Sequence, residues 1–136
     1  MVTIHSKYLG NLRTESEHLN SKAQILTDAP LDNKGKGEAF SPTDLLASCL
    51  GSCMMTIMGI TAQEHNFQIE GTEMDITKIM QNSPRKVSEI LVEINFPKQK
   101  YTDREKQILE KSALTCPVYL SLHPDLKKSV NFNFQD

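Results

Sequence analysis

The chain contains no tryptophan and few aromatic residues of any kind, since Phe, Tyr and Trp together make up 6% of its 136 residues. Hydrophobic residues account for 38%, which is slightly low for a globular protein. A chain of this length is expected to form one domain, 1–136, with its own core. The modest apolar share also favours pairing with a second copy, which would bury additional surface.

The chain also lacks a strong charge of either sign, because its formal net charge is −2. This balance argues against nucleic acid and anionic membranes as partners. The first residues contain no run long enough for a signal peptide, and we expect no apolar stretch to reach the length of a membrane span. The predicted location is therefore the cytoplasm.

Cysteines are few and odd in number: the chain has three. An odd count fits no framework of structural disulfides. In the cytoplasm thiols are kept reduced, and a disulfide that forms there is usually transient and catalytic. Each cysteine is therefore either a small buried hydrophobe or a reactive group, and composition leaves both interpretations open.

The N-terminal part has the pattern of an antiparallel meander. Loosely alternating segments separated by turn residues predict strands at 2–9, 12–18 and 23–27. Residues 29–40 combine glycine, proline and mixed charges without periodicity, which predicts a loop.

A long helix is predicted to begin directly after this loop and to end near residue 64. Ser41 is a good N-cap, Pro42 suits the first helical position, and Asp44 completes a capping box with Asp in place of Glu. The helix is apolar or small on nearly every side, so we expect it to be buried on all sides.

The second half of the chain predicts a hairpin, two helical segments and a last strand. In order these are strands at 67–80 and 86–96, a helix from Thr102 or Asp103 to about residue 115, a short helix at 118–122 and a strand at 130–134. The predicted element order is β-β-β-α-β-β-α-(α)-β.

The three cysteines fall at two places in this scheme. Cys49 and Cys53 are four residues apart, so both project from one face of the central helix. Cys116 lies at a helix boundary, where the positive end of the helix dipole would stabilise a thiolate. One interpretation is a peroxidatic and a resolving thiol, which pass through a sulfenic acid to a disulfide. On spacing alone the simpler interpretation is a buried hydrophobe, and for Cys49 we favour it.

The stretch FSPTDLLASCLGSCMMTIMG resembles the central helix of the OsmC/Ohr family, the osmotically inducible and organic-hydroperoxide-resistance proteins. Residues 41–45 (SPTDL) are similar to the family's N-P-E-x-L helix start, and residues 51–53 (GSC) are similar to its reactive site. Residues 115–117 (TCP) match its second signature, a Cys-Pro near a later helix end. The element order agrees over essentially the whole chain.

The resemblance implies an OsmC-like α+β fold and an intertwined homodimer. Its parts are an N-terminal antiparallel β-meander, a long buried central helix and a second antiparallel sheet with a further helix. The implied activity is a peroxiredoxin-type, thiol-dependent reduction of organic hydroperoxides or hydrogen peroxide in oxidative-stress defence, with an external dithiol as reductant. By position Cys53 would be peroxidatic and Cys116 resolving, while Arg13 would stabilise the Cys53 thiolate from the N-terminal strands.

One position departs from the family pattern. The family carries a Glu ten residues before the reactive Cys, where this chain has Thr43, and Asp44 points about 100° away around the helix. Glu38 is a possible replacement, although a solvated loop charge is the simpler interpretation. An alternative function follows, namely an OsmC-like small-molecule binding protein with weak or no peroxidase activity.

Two further candidates carry less weight. His123 follows Cys116 by seven residues, which would place it on the same helical face as a base or proton donor. A surface His ahead of Pro124 is the simpler interpretation. Three cysteines and a His would suffice in number for zinc, but Cys-x-x-x-Cys within a buried helix has poor ligand geometry, so no metal is expected. The chain has no phosphate-binding or dinucleotide fingerprint, so no cofactor is expected.

Overall fold

The computed structural model describes residues 1–135 and has the predicted α+β architecture. Its elements, in chain order, are β1 (Ile4–Gly10), β2 (Arg13–His18), β3 (Gln24–Asp28), α1 (Pro42–Glu64), β4 (Glu73–Gln81), β5 (Lys86–Lys98), α2 (Asp103–Ala113), α3 (Pro117–Ser121) and β6 (Lys127–Gln135). The chain divides into two compact units, one of residues 1–46 and one beginning at Ala47.

The first unit contains the predicted meander. Its sheet has the order β1-β2-β3, and both strand pairs are antiparallel. Positive φ angles at Gly10, Asn11 and Leu12 close the first turn, so the Gly10-Asn11 turn signal is confirmed and extends by one residue. The loop that follows β3 contains a single 3-10 turn, Leu31–Asn33.

The start of α1 is the predicted capping box. The Asp44 N–H donates to Ser41 Oγ at 3.0 Å, and the Ser41 N–H donates to Asp44 Oδ2 at 3.0 Å. Two backbone donors that have no partner within the helix are thereby satisfied. The sequence of this segment therefore places the first turn of α1 correctly.

Burial of α1 differs from the prediction, because only one stripe of the helix is buried within the chain. The buried residues are Ala47, Leu50, Gly51, Met54, Met58 and Ala62, at the spacing of a single helical face. The helix is also long and apolar enough to cross a membrane. The expectation that no stretch reaches that length is wrong, although the core helix of a soluble protein meets the same criterion.

The second unit contains a mixed sheet of order β4-β5-β6. The predicted β4–β5 hairpin is antiparallel, whereas β6 pairs parallel to β5, with Phe132 opposite Ile94. The predicted antiparallel sheet therefore gains a parallel strand, which α2 and α3 make possible as a crossover. Strand β4 begins at Glu73 rather than at residue 67, because residues up to Thr72 form a turn in which the Thr72 N–H donates to the Ile69 carbonyl.

The core of the second unit lies on one face of this sheet. Alternate residues of β5 are fully buried, namely Ile90, Val92, Ile94 and Phe96. Helix α1 packs against β4 at Gly51, where a β-carbon would come within 2.5 Å of Ile76 Cδ1. Thr102 caps α2 in a second capping box with Glu105. The packing of α1 against β4 at Gly51 determines how α1 is rotated, and so which way its Cys53 face points.

Candidate functional site

The second unit brings together Cys53 and Cys116, the two cysteines that the family resemblance selects. Cys53 is half-buried in the middle of α1 and Cys116 is buried, and both thiols are free. Cys53 is near enough to Cys116 to contribute to the pKa of the Cys116 thiol. Neighbouring thiols are the arrangement from which a disulfide forms.

Cys116 is the N-cap of α3, and its Sγ accepts the Tyr119 N–H at 3.2 Å. Burial nevertheless raises the pKa of the Cys116 thiol. The Tyr119 and Val118 N–H groups lower this pKa, and the neighbouring Cys53 raises it further. The helix start was predicted to favour a thiolate here. That expectation is wrong on balance, because the loss of solvent outweighs the two backbone donors.

Cys49 lies outside this pair. It is exposed, although it shares a helix face with Cys53, because the buried stripe of α1 passes through Leu50 and Met54 instead. The preferred interpretation of Cys49 as a buried hydrophobe is therefore wrong within the chain.

Arg13, the third predicted site residue, lies in the first unit and is held by carboxylates. Its Nε donates to Asp28 Oδ1 at 2.7 Å and its Nη2 donates to Asp28 Oδ2 at 2.8 Å. The same Nη2 donates to Glu38 Oε1 at 3.1 Å. Asp28 is 1% exposed, so the carboxylate of this bidentate ion pair is shielded from water.

Asp28 organises the residues around it as well. Arg13 and Asp28 are direct cross-strand partners in the β2–β3 pairing, and Asp28 Oδ2 also accepts the Glu38 N–H at 3.1 Å. The Arg13 hydrogen bond is the main cause that lowers the pKa of Asp28 below its ordinary value, and the pKa of Arg13 is raised in return. Arg13 is therefore a fixed cation with a fixed partner.

Sequence reasoning missed Asp28 and underrated Glu38. Strand β3 was predicted to end at Thr27, one residue short of Asp28. The predicted meander could have indicated this pair, because pairing β2 with β3 across their turn places residue 28 opposite residue 13. Glu38 is 64% exposed, in line with its interpretation as a solvated loop charge, but it is also paired with Arg13.

Thr43, which occupies the family's Glu position, belongs to the α1 cap. Its Oγ1 lies 3.1 Å from Ser41 Oγ. In this chain the carboxylates next to Arg13 therefore come from β3 and the following loop, namely Asp28 and Glu38.

His123 is placed differently from the prediction. Helix α3 ends at Ser121, so the two-turn spacing from Cys116 does not apply. The His123 Nδ1 accepts the Asp125 N–H at 3.0 Å, and the ring is exposed. Within residues 1–135, no group of three or more His, Cys, Asp or Glu side chains is arranged to hold a metal ion.

Comparison with known proteins identifies the family. Residues 35–131 match the model of the OsmC-like protein family. The chain belongs to the OsmC-like family. No curated protein matches it.

Solved structures of this OsmC-like protein's relatives share its fold over nearly the whole chain. A protein of Psychrobacter arcticus assigned to the osmotic stress and detoxification response is 50% identical, with a TM-score of 0.94 over 98% of this chain and 96% of that one. An organic hydroperoxide resistance protein OsmC of Legionella pneumophila is 16% identical, with a TM-score of 0.73 over 100% and 98%. One from Elizabethkingia anophelis, with thiocyanate bound, is 17% identical, with a TM-score of 0.66 over 100% and 97%.

Proposed function

We propose that this OsmC-like protein reduces peroxides, organic hydroperoxides above all, with Cys53 as the attacking thiol and Cys116 as the resolving thiol. The observation that carries the proposal is the proximity of these two free thiols, since Cys53 is near enough to raise the pKa of Cys116 although the two come from distant parts of the sequence. The detoxification assignment of the P. arcticus protein and the hydroperoxide resistance of the L. pneumophila and E. anophelis proteins support the same class of activity.

The two thiols differ in a way that supports separate roles. Cys53 is half-buried and within reach of a small molecule, whereas Cys116 is buried. Because the pKa of Cys116 is raised by burial, its thiol keeps its proton at neutral pH. Cys116 is therefore suited to react with the Cys53 sulfenic acid rather than to attack the peroxide.

The reaction consists of three balanced steps. The Cys53 thiolate attacks the outer peroxide oxygen, the O–O bond breaks, and the alkoxide leaves and takes a proton to become an alcohol. Cys116 then attacks the Cys53 sulfenic acid, so that the S–S bond forms and the hydroxide leaves as water with the Cys116 proton. An external dithiol exchanges with this disulfide and restores both thiols, becoming a disulfide itself.

Arg13 is the proposed activating charge, stabilising the Cys53 thiolate and the departing oxygen. In the proposed intertwined homodimer it is supplied by the second copy of the chain. Asp28 would keep the guanidinium oriented, and the exposed Glu38 would be the partner that it can release. Asp28 and Glu38 would thus replace the Glu that the family carries at the position of Thr43 as the partner of the Arg.

The homodimer is supported by the apolar residues that a single chain leaves exposed. In β1 every residue but the last is exposed, and exposed large apolar side chains occur in both units, among them Ile4, Tyr8, Leu26, Ile60 and Leu120. Apolar surface on this scale is typical of an association surface. We propose the cytoplasm as its location, where thiol reductants are present.

A second candidate function is a small-molecule binding protein with weak or no peroxidase activity. The observation that favours it is the state of Arg13, whose charge is already matched by Asp28 and Glu38. A guanidinium held in this way offers less stabilisation to a thiolate than a free one.

The decisive experiment follows reduced protein after mixing with cumene hydroperoxide. We expect rapid loss of peroxide and a Cys53–Cys116 disulfide, detected by mass spectrometry of peptides. Cys53→Ser should abolish peroxide loss, and Cys116→Ser should stop the reaction at a Cys53 sulfenic acid. Cys49→Ser is the matched control and should behave as the unsubstituted protein. Thiols that stay reduced under excess peroxide would refute the peroxidase and favour the binding protein.

A further inference from the structure

Helix α3 contributes no buried side chain to the core, although it begins directly after Cys116. It is five residues long, and a helix of that length is unstable by itself. Its backbone determines where the Cys116 sulfur lies, because Sγ accepts the Tyr119 N–H at 3.2 Å. The position of the second thiol therefore depends on contacts that hold α3 from outside.

Lys128 of β6 makes such contacts. Its Nζ lies 5.2 Å from the centre of the Tyr119 ring, within the range of a cation–π interaction. The same Nζ donates to the carbonyl oxygens of Leu126 at 3.0 Å and His123 at 3.4 Å, both in the turn that follows α3. One ammonium group thus joins α3, the next turn and the sheet.

The strand that carries Lys128 is itself well anchored. Lys128 pairs with Ile90 in the parallel register of β5 and β6, and Ile90 is fully buried. The neighbouring Lys127 is exposed, with its Nζ 3.9 Å from Glu89 Oε2. Adjacent lysines on one strand point to opposite faces. Lys128 contacts α3, and Lys127 does not, so Lys127 is a matched control.

We propose that Lys128 is a positioning residue for the resolving step, which holds α3 against β6 and so keeps the Cys116 sulfur beside Cys53. The inference rests on the proposed function, since resolution is the step that needs the second thiol. Lys128 makes and breaks no bond itself. When Cys116 attacks the Cys53 sulfenic acid, Lys128 limits the distance that the attacking sulfur has to travel.

The first test separates attack from resolution in the full chain. After one equivalent of cumene hydroperoxide, dimedone trapping measures the Cys53 sulfenic acid and peptide mass spectrometry measures the disulfide over time. Lys128→Met should form the sulfenic acid at an unchanged rate and convert it to the disulfide about tenfold more slowly. Lys128→Arg, which keeps the charge, should restore most of that rate, and Lys127→Met should leave both steps unchanged.

A second pair of variants addresses the aromatic partner of Lys128. Tyr119→Leu removes the ring and should reproduce the slow resolution of Lys128→Met. Tyr119→Phe keeps the ring and should resolve at the unsubstituted rate. The two Tyr119 variants also test the inference if Lys128→Met fails to fold, because Tyr119→Leu removes the contact between Lys128 and the ring.

A third measurement does not depend on peroxide. Diamide oxidises the thiol pair directly, and equilibration with dithiothreitol then measures how strongly the protein favours the disulfide. Lys128→Met should shift this equilibrium about tenfold towards the dithiol. If no protein forms a sulfenic acid but this shift is seen, the proposed function fails, while the placement of the Cys116 sulfur beside Cys53 by Lys128 is supported. Equal resolution rates and equal equilibria in Lys128→Met and Lys127→Met would overturn the inference.

Discussion

At the scale of single residues, the ion pair of Arg13 and Asp28 joins two strands of the first unit through two hydrogen bonds. A carboxylate with 1% exposure needs compensation for its lost hydration, and the two hydrogen bonds from one guanidinium provide it. Removing Asp28 would leave Arg13 with the exposed Glu38 alone. The same pair therefore governs both the stability of the meander and the orientation of the proposed activating charge.

The pH dependence of Asp28→Asn follows from the direction of this pKa shift. The pKa of Asp28 is lowered by Arg13, so its contribution to stability is complete above the unfolded value, near 4. It is lost as pH falls through the lower folded pKa. We expect Asp28→Asn to lower the urea midpoint at pH 7, and the difference from the unsubstituted protein to shrink below about pH 4.

Glu38→Gln is the control for that measurement. Its ion pair with Arg13 is exposed, and exposed pairs contribute little to stability. We expect a midpoint close to that of the unsubstituted protein at pH 7. Equal midpoints for Asp28→Asn and Glu38→Gln would show that the buried pair has no special role in stability.

The site residues show which information a sequence carries. Cys53 and Cys116 were selected by the family resemblance, whose two motifs are short and local, and their roles stay predictions. Asp28 was missed because its partner is fixed by strand register, which a one-residue change in the predicted end of β3 obscures. The raised pKa of Cys116 depends on burial by residues that are distant in the sequence. Such burial cannot be inferred from local residue spacing.

At the scale of elements, the helices that begin with clear caps were predicted well. The starts of α1 and α2 agree with the structure because capping is a local interaction within four residues. The parallel pairing of β5 and β6 was not predicted, since it joins segments about 40 residues apart and depends on the crossover between them. The burial of α1 was overestimated because composition does not show which face meets the sheet.

Thr102→Ala tests the contribution of a cap to α2. The Thr102 Oγ1 accepts the Glu105 N–H at 3.1 Å, and the substitution leaves that donor without its partner. We expect the free energy of unfolding to fall by about 1 kcal/mol, measured by urea denaturation. Thr102→Ser keeps the hydroxyl and should lie near the unsubstituted value, so an equal loss in both variants would contradict the cap.

At the scale of the whole molecule, the question is how the exposed side of α1 is covered. The helix passes the length and hydropathy test for a membrane span, yet the fold is that of the OsmC-like family. A second copy of the chain would cover this surface and add to a core that is modest in a single chain.

The oligomer is tested by light scattering at micromolar concentration, where we expect the mass of two chains. Ile60 is an exposed apolar residue of α1, and Ile60→Lys should shift the protein towards the mass of one chain because an unpaired charge is costly in an apolar interface. Gln107→Lys, on an exposed polar position of α2, is the control. A single-chain mass for the unsubstituted protein would contradict the dimer.

The parallel pairing of β6 with β5 also has a consequence for the newly made protein. Domains begin to fold while they are being synthesised, and β6 is made after both Cys53 and Cys116 have been added to the chain. A nascent chain that ends just after Cys116 therefore has neither the last strand of the sheet nor Lys128 against α3. The thiols exist before the structure that arranges them, so an oxidant that meets the nascent chain finds two cysteines that are not yet a pair.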